Sequence, residues 1–159
     1  MTRCDLSLGF VGLGALGLPM AINLHRAGFP LRVHTRSRSA ETSPELEGAA
    51  RCCSPADAST GVDVLLMCVS DDGAVEDVLF GPDGAASQLS AGSVVLDCST
   101  IAPGTAERCG QRLANQNVHY LDAPVTGGTE GAKHGSLTVL VGGASAPLER
   151  VQPILEVIG

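Results

Sequence analysis

Three closely spaced glycines, Gly12, Gly14 and Gly17, follow the apolar run at residues 6–11 and open a segment at residues 15–27 with helical spacing of apolar positions. In a strand-turn-helix of this kind the first glycine makes the tight turn, the second lets the backbone approach a pyrophosphate, and the third allows close packing of helix and strand. The free N–H groups and positive dipole end of the helix then form an anion site. The motif therefore predicts a Rossmann-type turn that binds a dinucleotide, the alternative being a structural glycine cluster.

The residues that end the next apolar run, at 31–34, bear on which dinucleotide binds. An acidic residue about 20 positions after the glycines usually holds the adenosine ribose diol. This chain instead has Thr35, Arg36, Ser37 and Arg38. A guanidinium offers the planar fork of charged donors that suits a 2′-phosphate, and no carboxylate repels that phosphate. The segment favours NADP over NAD with Arg36 as the phosphate ligand, whereas Arg38 fits a solvated loop charge equally well.

Length and charge limit the class of protein. A chain of 159 residues with 44% apolar content is long enough for one domain with its own core. The net charge of −7 leaves the chain without an overall basic footprint for nucleic acid or an anionic membrane. No apolar stretch approaches membrane-spanning length, and residues 1–5 lack the apolar core of a signal peptide. We expect a cytoplasmic protein that binds neither nucleic acid nor membranes.

The cysteines do not form a recognisable framework. Six are scattered along the chain, at Cys4, Cys52, Cys53, Cys68, Cys98 and Cys109. None is in a CxxC pair or near a histidine at metal-ligand spacing, so we expect free thiols and no metal site.

Short apolar runs alternate with helix-length amphipathic stretches, which is typical of an α/β fold with a doubly wound, mostly parallel sheet. We predict strands at residues 6–11, 31–34, 51–53, 62–69, 94–97, 118–122 and 137–141. We predict helices at residues 15–27, 44–48, 55–60, 73–79, 103–115 and 147–157. The ligand of such a fold lies beyond the carboxyl ends of the strands, so functional residues are expected in the loops that follow them.

Two of these loops carry unusual groups. Hydroxyl side chains, Ser99 and Thr100, follow the strand at residues 94–97, where they can meet a ligand or cap the next helix. Thr126, Gly127 and Gly128 follow the strand at residues 118–122. Successive backbone N–H groups beside a hydroxyl suit a carboxylate, and the alternative is a flexible hairpin.

Three segments resemble the β-hydroxyacid dehydrogenases, which include 3-hydroxyisobutyrate dehydrogenase and tartronate semialdehyde reductase. They are GFVGLGALGL at residues 9–18, VVLDCSTIAP at 94–103 and DAPVTGGTEGAKHGSL at 122–137. The resemblance covers nearly the whole chain, and the third segment is the most specific.

The resemblance implies a set of binding residues. The pyrophosphate turn would consist of Gly12, Leu13, Gly14, Ala15 and Leu16, and the phosphate-binding triplet of Thr35, Arg36 and Ser37. Further cofactor contacts would come from Val69, Ser70 and Thr100. The loop that binds the substrate carboxylate would consist of Thr126, Gly127 and Gly128. The chain departs from the family at two of these positions, because Thr35 replaces the usual Asn and Ser70 replaces a frequent Pro.

The family's catalytic lysine is not among these residues. By resemblance, that lysine comes from a second, all-helical domain, which would start after residue 159. The chain's single lysine, Lys133, falls at a variable position of the family's loop, so we expect a surface residue. We therefore predict that residues 1–159 form one NADP-binding Rossmann domain without a catalytic residue of its own.

The resemblance also implies an activity for the intact enzyme. It would transfer a hydride between NADP(H) and a small 3-hydroxy acid or semialdehyde acid, as a homo-oligomer, while this chain alone would be inactive. The alternatives are the cofactor domain of an imine reductase or of a phosphogluconate-type dehydrogenase, and a non-catalytic dinucleotide-binding module. The loop Thr126-Gly127-Gly128 argues against the imine reductase.

Overall fold

The structure is a computed structural model that describes residues 5–159, so Cys4 lies outside the described residues. Its main sheet has six parallel strands in the order β3-β2-β1-β4-β5-β6. The strands are β1 Leu8–Val11, β2 Leu31–His34, β3 Ala50–Arg51, β4 Val64–Met67, β5 Val94–Asp97 and β6 His119–Asp122. The predicted α/β fold with a Rossmann-type parallel sheet is confirmed.

Helices cover both faces of this sheet. They are α1 Gly17–Arg26, α2 Pro55–Ser59, α3 Asp72–Phe80, α4 Pro103–Ala114, α5 Gly128–His134 and α6 Ser145–Ile158. Short 3-10 turns occur at Ala40–Thr42, Pro44–Leu46 and Ala85–Ser87. A separate antiparallel pair joins β7 Val125–Thr126 to β8 Thr138–Val139. Among the described residues, no helix is long and apolar enough to cross a membrane.

The central strands β1, β4 and β5 read as mainly apolar runs because both of their faces are buried. In β4, Val64 and Leu66 face the core layer that contains residues of α1 and α6, while Leu65 and Met67 face the layer that contains residues of α3 and α4. All four side chains are fully buried. Two core layers therefore hold the sheet, and its carboxyl edge stays free to carry a site.

The strand predicted at residues 137–141 is shorter in the structure and lies outside the main sheet, at Thr138–Val139. β8 pairs antiparallel with β7 instead of joining the main sheet. The buried side chain of Leu137 gave this stretch the apolar character of a core strand, although Leu137 lies outside β8. Apolar character reports burial and does not identify the neighbouring strand.

Two helix predictions also need correction. No helix was expected at α5, whose seven residues include two glycines and therefore have low helical propensity. Gly135 ends it in the left-handed conformation, which glycine adopts without strain. The helix predicted at residues 44–48 is only a 3-10 turn at Pro44–Leu46, and Gly48, with φ +94°, follows it.

Candidate functional site

The carboxyl ends of β1, β2 and β4 and the N-terminus of α1 enclose a groove of about 520 Å³. Nine of the predicted cofactor-binding residues line it: Gly12, Leu13, Gly14, Ala15, Leu16, Thr35, Arg36, Val69 and Ser70. Ser37, Thr100 and the loop Thr126-Gly127-Gly128 are not among its lining residues. The groove thus joins three loops that are far apart in the sequence.

The three glycines of the motif meet different constraints. Gly12 has φ +98°, and a Cβ there would collide with the Cys68 carbonyl oxygen. A Cβ on Gly17 would collide with the Gly12 carbonyl oxygen, so the fold itself requires glycine at both positions. At Gly14 a Cβ would meet no atom within 4 Å. Gly14 lines the groove, and this open space is where a pyrophosphate would approach the backbone.

The N-terminus of α1 faces the same space. The helix starts at Gly17, two residues later than predicted, and Leu18 N donates to Gly14 O at 3.0 Å, which closes the preceding turn. No side chain caps the helix, and its first turn holds no acidic residue. Unpaired N–H groups and the positive end of the dipole therefore remain available for an anion. These features fit a dinucleotide pyrophosphate.

Thr35 ties the end of β2 to the glycine turn. Its hydroxyl accepts a hydrogen bond from Leu13 N at 3.3 Å, and its own N–H donates to Glu41 Oε1 at 2.8 Å. The sequence predicted no carboxylate at this strand end, but the fold brings one there from six residues further along the chain. Glu41 is only 2% exposed, and its other oxygen accepts from Arg38 Nε at 2.9 Å. Arg38 is therefore an ion-pair partner and not a freely solvated charge.

Arg36 differs from Arg38. Its side chain is exposed and lines the groove. Within residues 5–159 no carboxylate forms an ion pair with it. Ser37 next to it is also exposed, and its hydroxyl lies 3.2 Å from that of Ser39. Arg36 is thus a cation at the groove whose donors remain available.

A buried polar network supports the opposite wall of the groove. Val69 N donates to Ser99 Oγ at 3.0 Å, Ser99 N donates to Asp97 Oδ1 at 3.0 Å, and Tyr120 Oη donates to Asp97 Oδ2 at 2.7 Å. Burial raises the pKa of the Asp97 carboxyl, while the hydrogen bonds from Tyr120 and Ser99 oppose that rise. Ser99 therefore positions the loop after β4, and the adjacent Thr100 is exposed.

Gly17 of the glycine motif also lines the groove, together with residues that were not predicted to bind cofactor. These residues are Val11, His34, Pro55, Cys68, Ala74, Asp77, Val78 and Pro82. His34 and Cys68 could have been found, because they stand at the carboxyl ends of β2 and β4. The α2 and α3 residues carry no such signal, since only the packing of those helices brings them to the groove.

The segment Thr126-Gly127-Gly128 lies elsewhere: it runs from the last residue of β7 to the first residue of α5, and all three residues are exposed. Gly127 and Gly128 have φ values of +135° and +65°. Lys133 lies on α5 with its Nζ 3.3 Å from Glu130 Oε1, and both side chains are largely exposed. Lys133 is not among the groove-lining residues.

Comparison with known proteins agrees with this geometry. Residues 7–159 match the family described as the NAD binding domain of 6-phosphogluconate dehydrogenase. The chain is 40% identical to 2-hydroxy-3-oxopropionate reductase of Escherichia coli K12 over 154 residues, which are 97% of this chain and 52% of that protein. The chain spans about half the length of the curated relatives it matches.

Solved structures show the same relationship. Mycobacterium tuberculosis 3-hydroxyisobutyrate dehydrogenase with L-serine superposes with a TM-score of 0.91 at 28% identity, covering 97% of this chain and 52% of that chain. Psf3 in complex with NADP+ and 2-OPP gives a TM-score of 0.89 at 36% identity, covering 95% of this chain and 54% of that chain. Imine reductases share the fold as well. The chain is similar to several hydroxyacid dehydrogenases and belongs to the NAD-binding domain family of 6-phosphogluconate dehydrogenase.

Proposed function

We propose that the groove binds NADP(H) in preference to NAD(H), for a protein that transfers a hydride between this cofactor and a small 3-hydroxy acid or semialdehyde acid. The cofactor preference rests on one observation at the end of β2: the positive charge of Arg36 is available, whereas the negative charge of Glu41 is not. Arg36 lines the groove without an ion-pair partner among the described residues, while Glu41 is buried with both oxygens bonded. A 2′-phosphate would meet an available guanidinium, and a ribose diol would find no accessible carboxylate.

Most of the proposed binding roles fall on groove-lining residues, while Ser37 and Thr100 lie outside that lining. The turn from Gly12 to Leu16 and the N-terminus of α1 hold the pyrophosphate through backbone N–H groups. Thr35 fixes this turn through its bond to Leu13, and Arg36 with Ser37 receives the 2′-phosphate. The nicotinamide end would lie beside Val69, Ser70 and Thr100. When bound, the cofactor supplies or accepts the hydride.

The substrate carboxylate is assigned to Thr126, Gly127 and Gly128. Their exposure and the positive φ values of the two glycines suit backbone N–H groups that point at an anion. Hydride transfer also needs a group that exchanges the proton of the substrate oxygen. The groove lining contains no lysine, and Lys133 pairs with Glu130 on the surface, so residues 1–159 alone are proposed to be inactive.

We also propose a cellular compartment and an oligomeric state for the protein. Five described cysteines are free thiols, which suits a reducing compartment such as the cytoplasm. The resemblance to the hydroxyacid dehydrogenases favours a homo-oligomer for the intact enzyme.

Calorimetric titration with NADPH and NADH tests the cofactor assignment. We expect NADPH to bind about tenfold more tightly or better, since a hydrogen bond to a charged group contributes roughly 1.5–3 kcal/mol. Arg36→Ala should remove most of that preference. Arg26→Ala is the matched control, because Arg26 pairs with Glu45 on the surface and is absent from the groove lining. Equal affinities in the wild type, or a preference that survives Arg36→Ala, would contradict the proposal.

A further inference from the structure

The buried carboxylate of Glu41 lies behind the segment that presents Arg36. Glu41 belongs to the 3-10 turn Ala40–Thr42, and its two oxygens accept from Thr35 N and Arg38 Nε. His34 Nδ1 is 3.7 Å from Glu41 Oε1, but it is closer, at 2.9 Å, to the Cys52 carbonyl oxygen. That oxygen can only accept, so the Nδ1 hydrogen points to Cys52. Arg38 therefore supplies the permanent positive charge that balances Glu41.

Arg38 adopts an unusual conformation to reach this carboxylate. Its φ of +64° lies in the left-handed region, which residues other than glycine rarely occupy. Its backbone N–H donates to Thr35 O at 3.1 Å, and its guanidinium turns onto Glu41. Thr35 is thus bonded at its N–H by Glu41 and at its carbonyl by Arg38. Arg36 lies between Thr35 and Arg38, in the segment that these hydrogen bonds hold in place.

We propose that the Arg38–Glu41 pair is a specificity element for the cofactor, resting on the proposed NADP(H) function. Glu41 positions the segment that carries Arg36, and Arg38 cancels the charge of Glu41 beside the 2′-phosphate subsite. Without Arg38, the poorly screened charge of buried Glu41, which lies one hydrogen bond from the groove-lining Thr35, would repel an incoming phosphate. The uncharged diol of NADH would not be repelled. Arg38 therefore favours NADPH without touching it.

A double-mutant cycle separates this charge effect from loss of structure. Arg38→Ala should weaken NADPH binding about three- to tenfold more than NADH binding, a size set by a partly exposed charge pair. Adding Glu41→Gln should restore the selectivity, because glutamine keeps an acceptor for Thr35 N and carries no charge. Glu41→Gln alone should keep the preference for NADPH. Glu45→Gln is the control, since Glu45 forms an exposed pair with Arg26.

Calorimetry with both cofactors gives the ratio of dissociation constants for each variant. An unchanged ratio in Arg38→Ala, or a double variant no more selective than Arg38→Ala, would overturn the specificity element. If Arg38→Ala fails to fold, Arg38→Gln removes the charge with less loss of packing and must give the same two results. A wild type without NADPH preference would instead refute the proposed function. A wild type whose preference depends on Arg36 but not on Arg38 would refute this inference alone.

Discussion

Two regions that follow strands of the main sheet differ in how completely they build a binding site. Around β1, β2 and β4, the glycine turn, the Thr35–Leu13 bond and the Ser99–Val69 bond fix the walls of one groove. After β6, the loop Thr126-Gly127-Gly128 is exposed at every residue and does not line that groove. The difference teaches that the proposed cofactor site is assembled inside this chain, whereas the proposed substrate loop is only presented at its surface.

The largest expected consequence of this difference concerns turnover. With NADPH and a panel of short semialdehyde acids, residues 1–159 should react at least about 100-fold more slowly than E. coli 2-hydroxy-3-oxopropionate reductase, since general acid–base help is typically worth 10² to 10⁴-fold. Steady-state assays on both proteins measure this. Turnover near the rate of that reductase, abolished by Lys133→Ala, would show that Lys133 completes the site.

The next effect concerns the fold at the glycine turn. Gly12→Ala should cost roughly 2–4 kcal/mol of unfolding free energy, because the new Cβ combines a strained φ with a collision against the Cys68 carbonyl. Gly92→Ala is the control, since Gly92 has φ +88° but open space for a Cβ. It should cost only about 1 kcal/mol. Urea unfolding of both variants provides the comparison, and equal losses would remove the collision from the explanation.

A smaller effect is expected at the exposed loop. In a full-length enzyme of the proposed kind, Thr126→Val should raise KM for acid substrates about tenfold or more, because one hydrogen bond to a carboxylate contributes about 1.5–3 kcal/mol. The KM for NADPH should not change, since Thr126 is outside the groove lining. Thr129→Val offers a matched control on an exposed neighbour. An unchanged KM for the acid would place the carboxylate elsewhere.

The smallest expected effect is a difference in the reactivity of the cysteine thiols. Exposed Cys53 should react with a thiol reagent at pH 8 in the native protein, while burial raises the pKa of Cys68 and of Cys109 to about 11 and keeps them protonated. Denatured protein should give all six thiols of the sequence. Fewer than about five, or stoichiometric zinc in elemental analysis, would contradict the prediction of free thiols and no metal site.

The sequence predicted the parts of the molecule that depend on local pattern. The central strands β1, β4 and β5 follow from apolar runs buried on both faces, and the glycine turn follows from spacing. Glu41 was missed because it reaches Thr35 through the tertiary fold and not through a motif. The β7–β8 pair was missed because apolar character at residues 137–141 does not encode a strand's partner. Local chemistry was therefore predictable, and pairing across space was not.

The central claim, that the groove holds a dinucleotide pyrophosphate, depends most directly on Gly14. A Cβ at Gly14 meets no protein atom within 4 Å, so Gly14→Ala should change the unfolding free energy by less than about 0.5 kcal/mol. The same Cβ would occupy the space of the pyrophosphate, so calorimetry should show NADPH binding weakened about tenfold or more. A folded Gly14→Ala variant that binds NADPH as tightly as the wild type would contradict the account.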